Sequence, residues 1–288
     1  DQGYNIGILE NDFGAVNVDM MLLRELEGEQ CELEMVAGGC DKDCHRRRFK
    51  TKLIAMGMCG YDRVLIEPSG IFDMDEFFDA LHEEPLDRWY QIGNVIAVVD
   101  AGLDEKMSEK ADYILASEVA DAGCIVLSKT QEASEKSIED TVKHLNRALE
   151  AVHCKRKFGE DEIIQKDWEQ FEKEDFERIL NSGYIAEDYE KMSLDEQEVF
   201  KSLYFMDLEI SGEELRDAAQ KIMQDPACGS VFRIKGFTQE PDGSWTELNA
   251  THHEITQCPI AEGQKVIIVI GEHLEEEEIR KYLEPDKK

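Results

Sequence analysis

Four short apolar segments constrain the fold of this chain more than any other feature. They are rich in Ile and Val, are bounded by Gly, Asp or Ser, and read "NIGILE" (5–10), "RVLIEP" (63–68), "NVIAVVD" (94–100) and "CIVLSK" (124–129). Near-continuous apolar runs are typical of strands covered on both faces, as in a parallel sheet. Helix-like stretches at 74–84 and 133–152 lie between or after them. The alternation predicts an α/β domain with right-handed crossovers.

The character of the chain changes after this domain. Residues 160–180 are acidic, carry aromatic side chains and have a helix-like pattern, which predicts a helical connector. A strand at 203–210 follows, and Ser211 with Glu214 forms the pattern of a capping box ahead of a helix. Three more strands, "SVFRIKGF", "SWTELNATHHEI" and "KVIIVIG", and a final helix complete a small α+β domain.

The length of 288 residues is consistent with about two domains. We therefore predict a mostly parallel α/β nucleotide-binding domain at 1–158, a helical connector at 159–200, and an α+β domain at 201–288.

The charge of the chain limits the classes of partner. The 65 acidic and 32 basic side chains give a net charge of -33, which repels nucleic-acid phosphates and anionic membranes. No apolar run reaches the length of about 18 residues that a membrane span needs, and residues 1–20 lack a signal-peptide pattern. Eight cysteines without such a signal are typical of a reducing compartment, so we expect a cytoplasmic protein without nucleic-acid or membrane partners.

Polar residues at the strand ends are candidates for binding phosphate or Mg²⁺. Glu67 ends the strand in "LIEPSG", and Gly70 follows three positions later. Ligands bind at this edge of doubly wound sheets, where a carboxylate can hold Mg²⁺ through water or orient an attacking water. A glycine there lets a backbone N–H approach a phosphate closely. Alone, Glu67 could equally be a solvated strand-end residue.

Two further strand exits carry similar signals. "ENDFGAVNVD" (10–19) supplies oxygen ligands suited to a switch segment beside a Mg-nucleotide, namely Glu10, Asn11, Asp12 and Asp19, with Gly14 among them. In "LSKT" (127–130), the stem of Lys129 could lie flat along a purine while Ser128 ties down the loop. An ordinary loop and a solvated lysine are the alternatives.

The stretch "VAGGCDKDCHRRR" (36–48) raises the question of a metal site. Cys40, Cys44 and His45 could supply three zinc ligands and leave a fourth position for another side chain, a water or a second chain. Thiolates favour Zn²⁺ over Mg²⁺, and imidazole keeps Co²⁺ open. The alternatives are a basic-flanked loop with two idle thiols and a redox switch through Cys40 and Cys44.

Taken in order, these pieces resemble the G3E GTPases, specifically the CobW-like metallochaperones. "ENDFGAVNVD" resembles the switch segment of that family, "GGC…C" its Cys-x-Cys-Cys metal motif, and "LIEPSG" its Walker B variant. "VVDA" (98–101) and "VADAGCIVLSKT" (119–130) resemble a strand and the base-recognition loop, and "VFRIKGF" (231–237) resembles the signature of the C-terminal domain. The resemblance extends over nearly the whole chain.

The resemblance implies a P-loop NTPase-like fold and a slow GTPase that uses GTP and Mg²⁺. It implies that Glu67 acts on Mg²⁺ or the attacking water, that Gly70 senses the γ-phosphate, and that Lys129 packs on the base. Cys40 and Cys44 would hold Zn²⁺ or Co²⁺ for delivery to a metalloprotein client. A homo-oligomer remains open.

The chain departs from the family pattern in three places. It has no Gly-x-x-x-x-Gly-Lys-Ser/Thr loop, and because it opens without Met we expect that loop in an upstream segment. The family's Asn-Lys-x-Asp reads Ser-Lys-Thr-Gln at 128–131, and losing a charged hydrogen bond to guanine costs about 1.5–3 kcal/mol. The middle thiol of the metal motif is absent. The alternative function is therefore a catalytically inactive metal-binding or scaffold protein, a pseudo-GTPase.

Overall fold

The computed structural model describes residues 3–12, 23–37, 42–68, 74–190, 201–261 and 263–284. Its strands form three sheets, of strand order β2-β1-β3, β4-β5-β6 and β10-β9-β8-β11-β7. In chain order the strands are β1 (Ile6–Asp12), β2 (Cys31–Ala37), β3 (Arg63–Pro68), β4 (Ile96–Asp100), β5 (Cys124–Ser128), β6 (Ile163–Ile164), β7 (Lys201–Met206), β8 (Ser230–Gln239), β9 (Trp245–Thr251), β10 (Ile255–Ile260) and β11 (Val266–Glu272).

The described helices are α1 (Lys42–Cys59), α2 (Met74–His82), α3 (Leu86–Trp89), α4 (Glu109–Ala120), α5 (Glu135–Ala151), α6 (Lys173–Leu180), α7 (Gly212–Gln224) and α8 (Glu276–Leu283). None of them combines the length and the apolarity that a membrane crossing requires. The chain divides into two compact units, Asp1–Gly7 with Gly39–Ser193, and Ile8–Gly38 with Leu194–Lys288. Parallel strands flanked by helices, together with a separate antiparallel sheet, confirm the predicted fold class.

The parallel strands β4 and β5 form the centre of the first unit. They pair in register from Ile96 with Cys124 to Asp100 with Ser128, and β6 pairs in parallel with β5. The continuous apolar sequence of β5 is explained by burial, since Ile125 is fully buried. The start of the predicted helical connector is not one continuous helix, because a 3-10 turn at 160–162 is followed by β6, which joins this sheet.

Helices α4 and α5 pack on each other beside this sheet. Each begins at a serine N-cap: the Ser108 hydroxyl accepts from the Ala111 N–H, and the Ser134 hydroxyl from the Ser137 N–H. A partly buried polar contact of 2.6 Å between His144 Nε2 and Asp112 Oδ1 joins the two helices. These helices fix the position of the loops that leave β4 and β5.

Helix α1 contains the second half of the cysteine stretch, for which a loop was one alternative. Phe49, Leu53 and Met56 are at most 1% exposed, and their spacing of four and three residues places them on one helix face. The Phe49 ring packs against that of Phe77 in α2, with centroids 5.7 Å apart. The Tyr90 hydroxyl donates to the Leu53 carbonyl oxygen at 2.7 Å. The alternative of a basic-flanked loop is therefore wrong for residues 42–48, which lie in α1.

The C-terminal domain is a five-stranded antiparallel sheet with α7 and α8 packed on it. Its core includes Phe205, Leu215, Ile234 and Val269, each at most 2% exposed. The predicted capping box is confirmed, since Ser211 and Glu214 cap α7 reciprocally. The segment predicted as one strand at 244–255 instead contains β9 and the start of β10, joined at a turn where the Thr251 N–H donates to the Glu254 carbonyl.

Candidate nucleotide and metal sites

The carboxyl ends of β4 and β5 bring three polar side chains together. Lys129 Nζ lies 2.7 Å from Asp100 Oδ2, and both side chains are 39% exposed. The other carboxylate oxygen, Asp100 Oδ1, accepts the Gly102 N–H at 2.8 Å. The Ser128 hydroxyl donates to the Val99 carbonyl oxygen at 3.4 Å. Ser128 therefore ties the loop to β4 as predicted, and Lys129 lies at the sheet edge where α/β folds bind ligands.

The backbone on both sides of this pair is held by further hydrogen bonds. The Ala101 N–H donates to the Ser128 carbonyl at 2.9 Å, which continues the pairing of the two strands past their last register pair. The Ala101 carbonyl accepts from the hydroxyls of Ser137 at 3.3 Å and Thr141 at 3.0 Å, both on α5. The loop after β4 is thus anchored from two elements at once.

Lys129 has a left-handed backbone conformation with φ of 56°. Such a conformation costs a residue other than glycine about 1–3 kcal/mol and persists only where the surroundings impose it. Here a turn follows, in which the Glu132 N–H donates to the Lys129 carbonyl at 3.0 Å. From this backbone conformation the lysine side chain reaches Asp100 at the end of the neighbouring strand.

The residues predicted to bind Mg²⁺ or phosphate have different environments. Glu67 is an exposed residue of β3 near its carboxyl end, as the sequence predicted. Glu10 and Asn11 are 5% and 2% exposed, and with Asp12 they form the end of β1. Glu10 lies in the strand as predicted, whereas the prediction that Asn11 and Asp12 lie in a loop is wrong, because the strand continues through them. Gly14, Asp19 and Gly70 lie outside the described residues, and their roles stay predictions.

The predicted metal ligands are distributed over a helix and the segment before it. Cys44 is half-buried and His45 is 1% exposed, and both lie in the first turns of α1. Consecutive residues on a helix do not face each other, so these two side chains leave the helix in different directions. Cys40 lies outside the described residues. Among the residues that are described, no three His, Cys, Asp or Glu side chains form a group able to hold a metal ion. The metal site stays a prediction.

Two of the basic residues after Cys44 have an acidic partner. Glu83 accepts from Arg46 Nη2 at 3.0 Å and from Lys50 Nζ. Lys50, and to a smaller extent Arg46, hold the pKa of the Glu83 carboxyl below its ordinary value. Part of the positive charge on α1 is thus paired with the end of α2, which leaves less of it for a phosphate or an acidic client.

A parallel α/β sheet with a lysine at a strand's carboxyl end is the arrangement expected of a nucleotide-binding domain. Residues 1–158 match the family model described as the CobW/HypB/UreG nucleotide-binding domain, and the chain belongs to that family. The predicted resemblance to CobW-like proteins is thereby confirmed.

Named relatives can now be compared with this chain. The zinc chaperone YjiA of Escherichia coli (strain K12) is 30% identical over 141 residues, which is 46% of this chain and 43% of that protein. The match thus spans less than half of that relative's length. Crystal structures of the Zn(II)-bound YjiA GTPase from E. coli and of a Zn(II)-bound triple mutant cover 100% of this chain at 19% identity, with a TM-score of 0.38 and 91% of those chains covered. That degree of likeness carries no conclusion about the site.

Asp100 was not singled out as a candidate residue in the sequence. It was quoted only as part of "VVDA", although it ends β4 as Glu67 comes near the end of β3. The signal that could have found it is the repetition of an acidic residue at the end of an apolar segment. Its partner is 29 residues away, so only the parallel pairing of β4 with β5 brings the two side chains together.

Proposed function

We propose that this protein binds GTP with Mg²⁺ and couples the nucleotide state to the transfer of a transition metal, zinc in the first place, to a client protein. The observation that carries the proposal is the match of residues 1–158 to the CobW/HypB/UreG nucleotide-binding domain. The relative named as a zinc chaperone supports the choice of cargo. Co²⁺ is the second cargo consistent with thiolate and imidazole ligands.

In this proposal, different residues at the strand ends contact the base, the Mg²⁺ ion and the phosphates of the nucleotide. Lys129 packs along the base, with Ser128 fixing the loop beneath it. Glu67, exposed close to the end of β3, would hold Mg²⁺ through water or orient the attacking water. Mg²⁺ would neutralise charge on the phosphates, and Gly70 would report the presence of the γ-phosphate. Asp12, Gly14 and Asp19 would form the segment that responds.

The cargo would be held by Cys40 and Cys44, with His45 as a third candidate. Because His45 is 1% exposed in α1, its use as a ligand requires the first turn of that helix to open. Helix ends are the part of a helix that opens at least cost, so the first turn of α1 could exchange between a closed form and a metal-holding form. The seven cysteines among the described residues are free thiols, which is consistent with a reducing cytoplasm.

An inactive metal-binding protein is the second candidate, and one sequence feature favours it. The base loop has Gln131 where the family has a carboxylate. Such a protein would hold the metal without reference to nucleotide.

A zinc titration against a chromophoric chelator, with and without Mg-GTP, separates the two candidates. We expect tight binding that is lost in Cys40→Ser and Cys44→Ser and that shifts when GTP is added. Cys59→Ser is the matched control, because Cys59 is an exposed cysteine at the other end of the same helix. Tight zinc binding that does not change with GTP would support the inactive metal-binding protein. If zinc does not bind in either condition, the proposed metal function is wrong.

A further inference from the structure

The Asp100 carboxylate uses both of its oxygens within the loops that leave β4 and β5. Oδ2 accepts from Lys129 Nζ at 2.7 Å and Oδ1 accepts from the Gly102 N–H at 2.8 Å. The second bond fixes the carboxylate relative to its own backbone, so that the first can fix the lysine. Asp100 therefore has a defined orientation before any ligand arrives.

The anchoring of the surrounding backbone makes this orientation rigid. The Ala101 carbonyl is bound by two hydroxyls of α5, one of them from Thr141, which is 1% exposed. The left-handed backbone of Lys129 is followed by a closed turn. The Asp100 carboxylate and the backbone of Lys129 are thus both held by the scaffold. The side-chain torsions of Lys129 are what the ion pair itself fixes.

An ion pair of this exposure contributes little to folding. Both side chains are 39% exposed, and pairs open to solvent add little to the stability of the folded state. A lysine side chain has a flexible stem of four carbons, and it loses much rotamer freedom when it lies flat on a ligand. Holding its ammonium group beforehand removes part of that loss from the binding step. The geometry is better explained by pre-organisation of Lys129 than by stabilisation of the fold.

We propose that Asp100 is a positioning residue that pre-orients Lys129 for contact with a nucleotide base. The inference rests on the proposed nucleotide function and adds a specific residue to it. Asp100 acts through Lys129, so its removal weakens nucleotide binding only while the lysine is present.

A double-mutant cycle on binding of a ribose-labelled fluorescent GTP in Mg²⁺ buffer tests this inference. We expect Asp100→Asn to weaken binding by about 3- to 10-fold, since it removes one charged hydrogen bond at a partly exposed site. Lys129→Met should weaken binding at least as much. Adding Asp100→Asn to Lys129→Met should then have no further effect, because the group through which Asp100 acts is gone.

Two controls separate positioning from a structural role. Asp140→Asn breaks an exposed pair with Lys143, 3.3 Å apart on α5, by the same chemical change and should leave nucleotide affinity unaltered. Asp100→Glu keeps the charge and should recover part of the affinity lost in Asp100→Asn. Thermal melting of each variant reports whether the fold itself has changed.

The outcomes distinguish this inference from the function on which it rests. If the unaltered protein shows no saturable binding of labelled GTP, the proposed function fails and the inference with it. If the unaltered protein binds GTP and Asp100→Asn binds equally well, the inference alone is wrong. It is also wrong if the two substitutions weaken binding additively, since Asp100 would then act independently of Lys129.

Discussion

At the scale of single residues, Glu118 gives the clearest pH dependence. It is half-buried in α4, and burial raises the pKa of its carboxyl from the ordinary 4.5 to about 8. In the unfolded chain the carboxylate ionises near its ordinary pKa, whereas the folded protein keeps the proton. Glu118 therefore contributes most to stability at low pH, and that contribution falls as pH rises toward the folded-state pKa.

Replacing Glu118 with Gln should remove this pH dependence. We expect Glu118→Gln to match the unaltered protein near pH 5 and to be more stable near pH 8 by roughly 1–3 kcal/mol, since each pKa unit corresponds to about 1.4 kcal/mol. Urea denaturation followed by circular dichroism at both pH values measures the difference.

Glu109→Gln is the matched control, because Glu109 is an exposed glutamate in the first turn of the same helix. Its difference from the unaltered protein should not grow between the two pH values. If the difference in free energy of unfolding between Glu118→Gln and the unaltered protein is the same at both pH values, Glu118 is ionised in the folded state.

Residue types at the strand ends were predictable, but their contacts were not. The sequence places an acid, a hydroxyl and a lysine at the ends of apolar segments, and this suffices to predict that Ser128 and Lys129 lie at the ligand edge of the sheet. It does not show that Lys129 reaches back to Asp100, because that contact depends on the register between β4 and β5 and on a left-handed backbone at Lys129. Both are tertiary properties.

At the scale of elements, the start of β5 is fixed by a close backbone approach. The Gly123 N–H donates to the Val95 carbonyl at 2.8 Å, and the Val95 N–H donates to the Gly183 carbonyl at 2.9 Å. A Cβ atom at Gly123 would lie 2.2 Å from the Gly183 oxygen and 2.5 Å from the Ser182 oxygen. The segment after α6 therefore packs against the strand starts only because position 123 has no side chain.

Substituting Gly123 should loosen this packing. We expect Gly123→Ala to destabilise the protein by about 1–3 kcal/mol, as overpacking against backbone does, with a matching fall in Tm. Gly93→Ala is the control, since a Cβ at Gly93 meets nothing within 4 Å, and it should change Tm little. Equal melting temperatures for the two variants would mean that the segment after α6 moves aside without cost.

Helices and strands were predicted correctly where the sequence pattern was strong. The apolar runs predicted β1, β3, β4 and β5, and the Ser211 capping box predicted the start of α7. Strand β2 was missed, although its sequence "CELEMVA" alternates and buries Leu33. The hairpin of β9 and β10 was read as one strand, because the turn between them contains His252 and His253 and no Gly, Pro or Asn. Turns without those residues leave little signal.

At the scale of the whole molecule, the parallel α/β sheet and the antiparallel sheet after residue 200 were predictable from the change in pattern along the chain. The compact units do not follow that order, because residues 8–38 belong to the same unit as residues 194–288. The domain boundaries at 158 and 200 stay predictions. The residues that would complete the metal site could not be assigned from spacing alone, since helix α1 extends through Cys44 and His45 and places them on different faces. The spacing of Cys40 and Cys44 does not reveal that the second cysteine lies in a helix.

The net charge of -33 also acts on the molecule as a whole. Repulsion among carboxylates destabilises the compact state, and dissolved salt screens it. Surface ion pairs weaken in salt as well, but exposed pairs such as Lys143 with Glu139, whose side chains are 64% and 70% exposed, contribute little. Screening of repulsion should therefore exceed the loss of attraction, and Tm should rise by a few degrees between about 0.02 and 0.5 M NaCl.

Scanning calorimetry in NaCl and in KCl of equal ionic strength measures this effect and its cause. Because screening depends on ionic strength and not on the identity of the ion, the two salts should raise Tm alike. A rise with one cation alone would mean that the acidic surface binds that cation at a defined site. A fall in Tm with both salts would mean that the exposed ion pairs contribute more to stability than the repulsion among the excess carboxylates costs.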